Sequence, residues 1–270
     1  MSTSTNTPSG KYASVNGVNL YYEIHGTGTP LVMLHGGFGT FDMFSALTPT
    51  LALNHQVIGV DLYGHGRTSL TERPMSFESM ADDIAALIAY LGLEKADVLG
   101  FSLGGAVALQ TAIRHPERVN KLVLISTPFK RTGWHPEMQQ GMTAIEPEFF
   151  MQTPIYDTYK NAAPQPEDFP RLVNNMKEMM SQDYDWTEQV SALKMPMLII
   201  AGDADGLPPS HAVAFFNLLG GGLRDANWDG AYMIPSQLAI LPAATHYNIE
   251  RRADVLLPVM LPFLDDKQTV

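Results

Sequence analysis

Cysteine is absent from the 270 residues, which excludes disulfides, thiolate-bound metal and a cysteine nucleophile from the protein's own chemistry. Positive charge is scarce: 17 Lys and Arg stand against 28 Asp and Glu, a formal charge of −11. A surface of that sign repels phosphate backbones and anionic lipid, so nucleic acid is not an expected partner. No apolar stretch reaches the roughly 18–20 residues that a bilayer crossing needs, so no membrane span is expected. The opening residues MSTSTNTPSG lack the apolar centre of a secretory signal. They read as a short flexible tail, residues 1–10, on a cytoplasmic protein.

Apolar residues make up 45 % of the chain and charged residues 17 %, and the length suits one large α/β domain. After the tail, KYASV and VNLYYEIHG flank Asn16-Gly17, a pair that tolerates the positive backbone angles of a tight hairpin. PLVMLHG, HQVIGVD, ADVLGFS, NKLVLIST and PMLIIAG then repeat one pattern, a short apolar run closed by small or polar residues, and LAILPAA is a weaker last example. Such runs suit strands buried on both faces of a parallel sheet. Between them, Met80, Ile84, Leu87, Ile88 and Leu91 mark one helix face, and an Ala- and Leu-rich helix from Leu103 stops at His115 before Pro116. The alternation predicts a mostly parallel sheet with helices on both faces. The rhythm breaks over 128–190, which is rich in Met, aromatics and proline and has no convincing strand run. We read 11–127 and 191–270 as the core and 128–190 as a helical cap insertion.

Gly100-Phe101-Ser102-Leu103-Gly104 is a G-x-S-x-G sequence lying between an apolar run and a helical pattern. That strand-turn-helix setting projects a serine hydroxyl from a sharp turn, as a nucleophile requires. A serine hydroxyl is weakly nucleophilic unless a base takes its proton and donors stabilise the developing oxyanion. Among eight histidines, His246 is favoured as the base by its place in the loop between the last strand and the terminal helix. The loop after PMLIIAG offers two acids, Asp203 and Asp205, at the place suited to orienting that base. His35-Gly36-Gly37-Phe38-Gly39 follows an apolar run with glycines that let backbone amides approach a substrate. The N–H groups of Gly37 and Leu103 are the preferred oxyanion donors, with Phe38 in reserve. The glycine-rich segment fits neither the dinucleotide nor the Walker pattern, and there is no HExxH, so no cofactor and no metal is expected.

These segments together resemble the α/β-hydrolase superfamily of serine hydrolases over Lys11 to Leu264. HGGFG is similar to its oxyanion loop, DLYGHGRTS (61–69) to its Asp-x-x-Gly-x-Gly-x-Ser segment, and GFSLGG to its nucleophile elbow. GDADG places Asp205 where members carry the acid, leaving Asp203 to brace the turn, and Thr245-His246 supplies the base. The resemblance implies an α/β-hydrolase fold with a predominantly eight-stranded sheet and a helical cap. It implies an esterase-like activity on a small-molecule ester or related carbonyl, through Ser102, His246 and Asp205 and without a cofactor. Lactonases, perhydrolases and carbon-carbon bond hydrolases share the same machinery, and a noncatalytic receptor would keep the pocket without turnover. Asp61 is expected to stabilise a loop, with His65 and Arg67 doing the same or lining a pocket edge. Phe38, Trp134, Met138, Met142 and Tyr247 are candidate pocket residues. Oligomeric state is not specified by any of these features.

Overall fold

The computed structural model describes residues 10–266; the expected tail therefore lies outside the described residues except for Gly10. Eight strands form one sheet: β1 (Lys11–Val15), β2 (Val18–His25), β3 (Thr29–Leu34), β4 (His55–Val60), β5 (Ala96–Phe101), β6 (Val119–Ile125), β7 (Met197–Gly202) and β8 (Gln237–Leu241). Their order is β1-β2-β4-β3-β5-β6-β7-β8. β1 pairs with β2, and β2 with β4, antiparallel; every other neighbour is parallel. The hairpin closes with Val15 opposite Val18, and Asn16 and Gly17 take φ of 47° and 80°, the geometry that favoured Asn-Gly there.

Continuous apolar runs make sense once both sheet faces are covered. Val32, Leu34, Val98, Leu122, Leu124, Met197 and Ile199 belong to one buried cluster. Their neighbours in the same strands, Leu31, Met33, Leu99, Val123, Ile125, Leu198 and Ile200, belong to the other. Alternation along each strand sends successive side chains to opposite faces, so both faces are mainly apolar; the buried exceptions Asp97 and Lys121 are hydrogen-bonded, to Asn120 and to Phe263 O and Leu264 O. Among the described residues β8 has only β7 beside it, and it is only partly buried, which accounts for its weaker apolar signal.

The helices are α1 (Thr48–Leu51), α2 (Phe77–Tyr90), α3 (Leu103–Arg114), α4 (Pro136–Thr143), α5 (Pro147–Phe150), α6 (Pro154–Ala162), α7 (Phe169–Ser181), α8 (Thr187–Ala192), α9 (Pro209–Leu218) and α10 (Ala253–Leu264). α2 starts where the Ser76 hydroxyl accepts the Ser79 N–H at 3.0 Å, and it buries Met80, Ile84, Leu87 and Ile88 against the sheet. Leu91 packs only partly buried on that cluster. Asp83 sits on the same buried face, where Arg73 meets it at 2.6 Å and Asn16 of the hairpin donates to it at 3.1 Å. Residues of α2, α3, α7 and α9 share one core, whereas Leu51 of α1 and Leu256, Met260 and Phe263 of α10 pack on the opposite face.

Between β6 and β7 the chain forms a helical cap, α4 to α8. α7 anchors it through buried Phe169, Leu172, Val173, Met176 and Met179, whereas α4 buries none of its residues. The two connections of the cap run side by side as a short antiparallel neck. Lys130 pairs with Asp185, the Arg131 N–H donates to Tyr184 O at 3.0 Å, and the Trp186 N–H donates to Phe129 O at 3.0 Å. This pairing is too short to leave a strand pattern in the sequence. The expected border at 190 falls inside α8. Among the described residues no helix is long and apolar enough to cross a membrane.

Candidate active site

The carboxyl ends of the parallel strands all reach one edge of the sheet, where ligand sites of open α/β sheets form. β5 turns directly into α3 there, and Ser102 at the turn has φ 52° and ψ −112°. A non-glycine residue in this region costs on the order of 1–3 kcal/mol, which the surrounding packing must sustain. Its glycines make that packing possible: a Cβ on Gly100 would lie 2.2 Å from Gly104 O, and one on Gly104 would lie 2.1 Å from Leu34 O. Any side chain at either position would force the elbow open.

His246 Nε2 lies 3.0 Å from Ser102 Oγ, and Nδ1 lies 2.9 Å from Asp205 Oδ1. Asp205 is buried and collects further donors: Leu207 N–H at 3.3 Å, Gly202 N–H at 3.2 Å and the Ser126 hydroxyl. Burial alone would raise its pKa, but the His246 hydrogen bond and charge, with Ser126 and the Gly202 amide, hold it below the ordinary aspartate value. An ionised Asp205 accepts the Nδ1 proton and leaves the Nε2 lone pair toward Ser102. Phe101 and Trp134 flank the imidazole at ring-centre distances of 5.2 and 5.3 Å, which keeps its ring largely out of water.

Asp203 is used differently. Its carboxylate accepts the Ala244 N–H at 3.3 Å, and its own N–H donates to Leu241 O at 3.0 Å. It therefore braces the loop that carries His246, rather than its own turn alone. Asp205 is the acid that meets the histidine.

The glycine-rich loop after β3 is fixed from beneath. His35 Nε2 accepts the Leu62 N–H at 3.0 Å, so the ring proton lies on Nδ1 and is donated to Gly36 O at 2.7 Å. Burial holds this histidine down to about 4. The Gly39 N–H donates to the same carbonyl at 3.1 Å. In a trans peptide the amide N–H points away from its carbonyl, so the Gly37 N–H is turned from His35. Phe38 takes φ 60° and packs its ring 4.8 Å from that of Phe150 in the cap. Leu103 opens α3, where helix N–H groups have no partner within the helix.

Above Ser102 and His246 the cap encloses a cavity of about 840 Å³. Gly37, Phe38, Leu103, Trp134, Met138, Met142 and Tyr247 all line it, so the structure brings the candidate pocket residues together with the serine, the histidine and Asp205. The walls are mainly apolar, as small-molecule sites commonly are. Among the described residues no group of three or more His, Cys, Asp or Glu could hold a metal ion.

A family model described as the alpha/beta hydrolase fold matches residues 29–191. This chain belongs to the α/β-hydrolase family. It is 31 % identical over 214 residues to an AB hydrolase superfamily protein of Bacillus subtilis, covering 71 % of this chain and 80 % of that one. It is 27 % identical over 269 residues to the pimeloyl-[acyl-carrier protein] methyl ester esterase of Pectobacterium carotovorum, covering 90 % and 98 %. The enol-lactonase of Burkholderia xenovorans has the same fold, with a TM-score of 0.71 at 20 % identity over 94 % of this chain and 99 % of that one.

In this α/β-hydrolase the DLYGHGRTS segment is a brace. Asp61 is fully buried, accepts the Phe41 N–H at 2.8 Å, and takes both the backbone N–H and the Nη1 of Arg67, at 2.9 and 3.0 Å. Burial raises its pKa against those donors. His65 is buried and held down to about 3, chiefly by desolvation. Neither His65 nor Arg67 is among the residues that line the cavity; His65 Nδ1 donates to Tyr63 O at 3.0 Å, and Arg67 joins Asp61 to Asp42. Sequence reasoning missed Ser126, a left-handed residue with φ 53° whose N–H is held by Ile200 O at 2.8 Å. Its only sequence signal is a hydroxyl just past the β6 run. Tyr184 and Arg131, also in the cavity wall, were missed because their approach to the site depends on the neck pairing.

Proposed function

We propose that this α/β-hydrolase cleaves small carboxylic esters through an acyl-Ser102 intermediate. The observation that carries the reading is the pair of hydrogen bonds joining Asp205, His246 and Ser102 at the floor of the cavity. Ser102 Oγ attacks the ester carbonyl while His246 Nε2 takes its proton, and Asp205 stabilises the imidazolium and fixes the tautomer. The N–H groups of Gly37 and Leu103 receive the oxyanion; one such donor is worth about 3 kcal/mol in transition-state energy in related chemistry. His246 then gives its proton to the departing alcohol, and takes one from the water that attacks the acyl-enzyme. A relative bearing the name of a methyl ester esterase supports the choice of ester among acyl substrates.

A fluorophosphonate probe followed by mass mapping tests the nucleophile, with label expected on the peptide containing Ser102 and absent from Ser102→Ala. A panel of short aryl esters, lactones, amides and vinylogous diketones tests the reaction, with esters expected to turn over fastest. Turnover confined to the diketone would replace esterase by carbon-carbon bond hydrolase. Stoichiometric ligand capture with no turnover of any substrate would replace it by a receptor.

A further inference from the structure

The cavity wall is apolar except at a few places, and one of them lies where the cap joins the core. Antiparallel pairing of Lys130 with Asp185 sets Arg131 opposite Tyr184, and the 3.0 Å hydrogen bond from Arg131 N–H to Tyr184 O fixes that register. Residues directly opposite in an antiparallel pair project to the same side with Cβ atoms about 5 Å apart. Both residues line the cavity that holds Ser102.

Their hydrogen-bonding capacity is only partly used inside the protein. The Arg131 Nε donates to Met180 O at 3.2 Å, and Nη1 meets Asp183 at 3.3 Å. Asp183 is 91 % exposed, and an ion pair so open to water neutralises its partner weakly. Trp134, whose indole N–H can only donate, acts on the Tyr184 phenol from nearby, so the phenol proton is left to donate elsewhere. Burial raises the Tyr184 pKa against the pull of Trp134 and Arg131, which keeps that proton in place. The Tyr184 ring is held by stacking on Trp186 at 4.3 Å and by the edge of Phe77 at 5.6 Å. A rigid O–H donor and a guanidinium thus stand side by side in an apolar-walled cavity.

We infer that Arg131 and Tyr184 form a subsite for a substrate carboxylate, remote from the ester that Ser102 attacks. A planar anion with two acceptor oxygens matches a guanidinium N–H and a phenol O–H presented together. Trp134 lines the same wall, with its ring centre 5.3 Å from that of His246 and the two planes nearly perpendicular. The substrate class is therefore the half-ester of a dicarboxylic acid whose chain is long enough to pass that indole. In a chain of formal charge −11 this local cation selects one small anion without attracting polyanions. The inference rests on the ester reading for its reacting end only.

Aryl half-esters of dicarboxylic acids of increasing chain length are to be compared with neutral isosteres in which an isopropyl group replaces the carboxylate. At its best length the wild-type protein is expected to favour the acid by at least about tenfold in kcat/KM. Arg131→Met should bring that ratio near one, chiefly through KM; Arg131→Lys should restore part of it, and Tyr184→Phe should lower it severalfold. The neutral isostere measured on each variant corrects for any loosening of the cap. A ratio at or below one in the wild type at every length, or an unchanged ratio in Arg131→Met, overturns the subsite. Calorimetric binding of the half-ester to Ser102→Ala, with and without Arg131→Met, keeps the subsite testable if no ester is hydrolysed. Tighter binding to the protein that retains Arg131 supports it, and equal binding overturns it.

Discussion

Replacing His35 by Phe keeps most of the volume beneath the glycine-rich loop and removes two hydrogen bonds. The Leu62 N–H then loses the acceptor it meets at 3.0 Å, while Gly36 O keeps one donor, Gly39 N–H at 3.1 Å. An orphaned buried amide costs about 1–3 kcal/mol and the lost bond to Gly36 O about 1 kcal/mol, so His35→Phe should destabilise the fold by about 2–4 kcal/mol at neutral pH. The pH dependence gives a second signature. A histidine held at about 4 against an ordinary 6.5 binds fewer protons folded than unfolded between those values. Its stabilisation is therefore complete above about 6.5 and falls, by about 3 kcal/mol in all, as pH drops toward 4. His65 and His211, held down to about 3 and about 4 chiefly by burial, add slopes of the same sign. Urea unfolding of the wild type and His35→Phe across pH 4–7 should show the variant less stable at neutral pH and with a shallower loss on acidification. If Gly37 N–H is an oxyanion donor, kcat should also fall about tenfold or more, with less change in KM. An unchanged urea midpoint at pH 7, or parallel pH curves for the two proteins, would refute the reasoning about His35.

Asp205→Asn should leave the fold intact and lower kcat by about four orders of magnitude, because an amide no longer enforces the Nδ1–H tautomer; a steady-state ester assay checks it, and a loss under tenfold would count against the triad. Ser126→Ala removes one of the donors on Asp205 and should cost about 1–2 kcal/mol of transition-state energy, read as a roughly tenfold fall in kcat/KM that Ser126→Thr partly restores. Asp61→Ala strands the Phe41 and Arg67 donors that its buried carboxylate receives and should lower stability by about 3–5 kcal/mol. Thermal melting measures that loss, and an unshifted melting temperature would deny Asp61 its bracing role.

The parts of this molecule that were legible in its sequence are those set by local pattern. Buried β3 to β7 favour apolar residues on both faces, so PLVML or MLIIA reads as a strand without its neighbours, and Asn16-Gly17 announces the hairpin turn by backbone angle alone. β8 was fainter because an edge strand keeps Ile240 partly exposed. Ser102 was readable because its elbow compresses strand, turn and helix into six residues, whereas choosing Asp205 over Asp203 needed likeness to a family. Orientation in the cap was legible only in part: Trp134, Met138 and Met142 were expected at the pocket and line it, but the rest of the cap carried no such signal. Phe149 is exposed at 69 % while the adjacent Phe150 lines the cavity, since short helices joined by prolines follow no single period. Ser126, Arg131 and Tyr184 matter through contacts across elements, and such contacts leave no spacing to recognise.

Ser102 grows from β5, which is clasped by β3 and β6 at the middle of the sheet, but the loop bearing His246 hangs from β8, whose sole neighbour among the described residues is β7. The two ends of the proposed proton transfer are thus moored to parts of the molecule with unequal resistance to opening. Fraying at that margin would carry the imidazole away from a serine still held in its elbow. Warming should therefore silence turnover reversibly before the body of the protein melts, and the tie from Asp203 to Ala244 is the stitch that sets how early this happens.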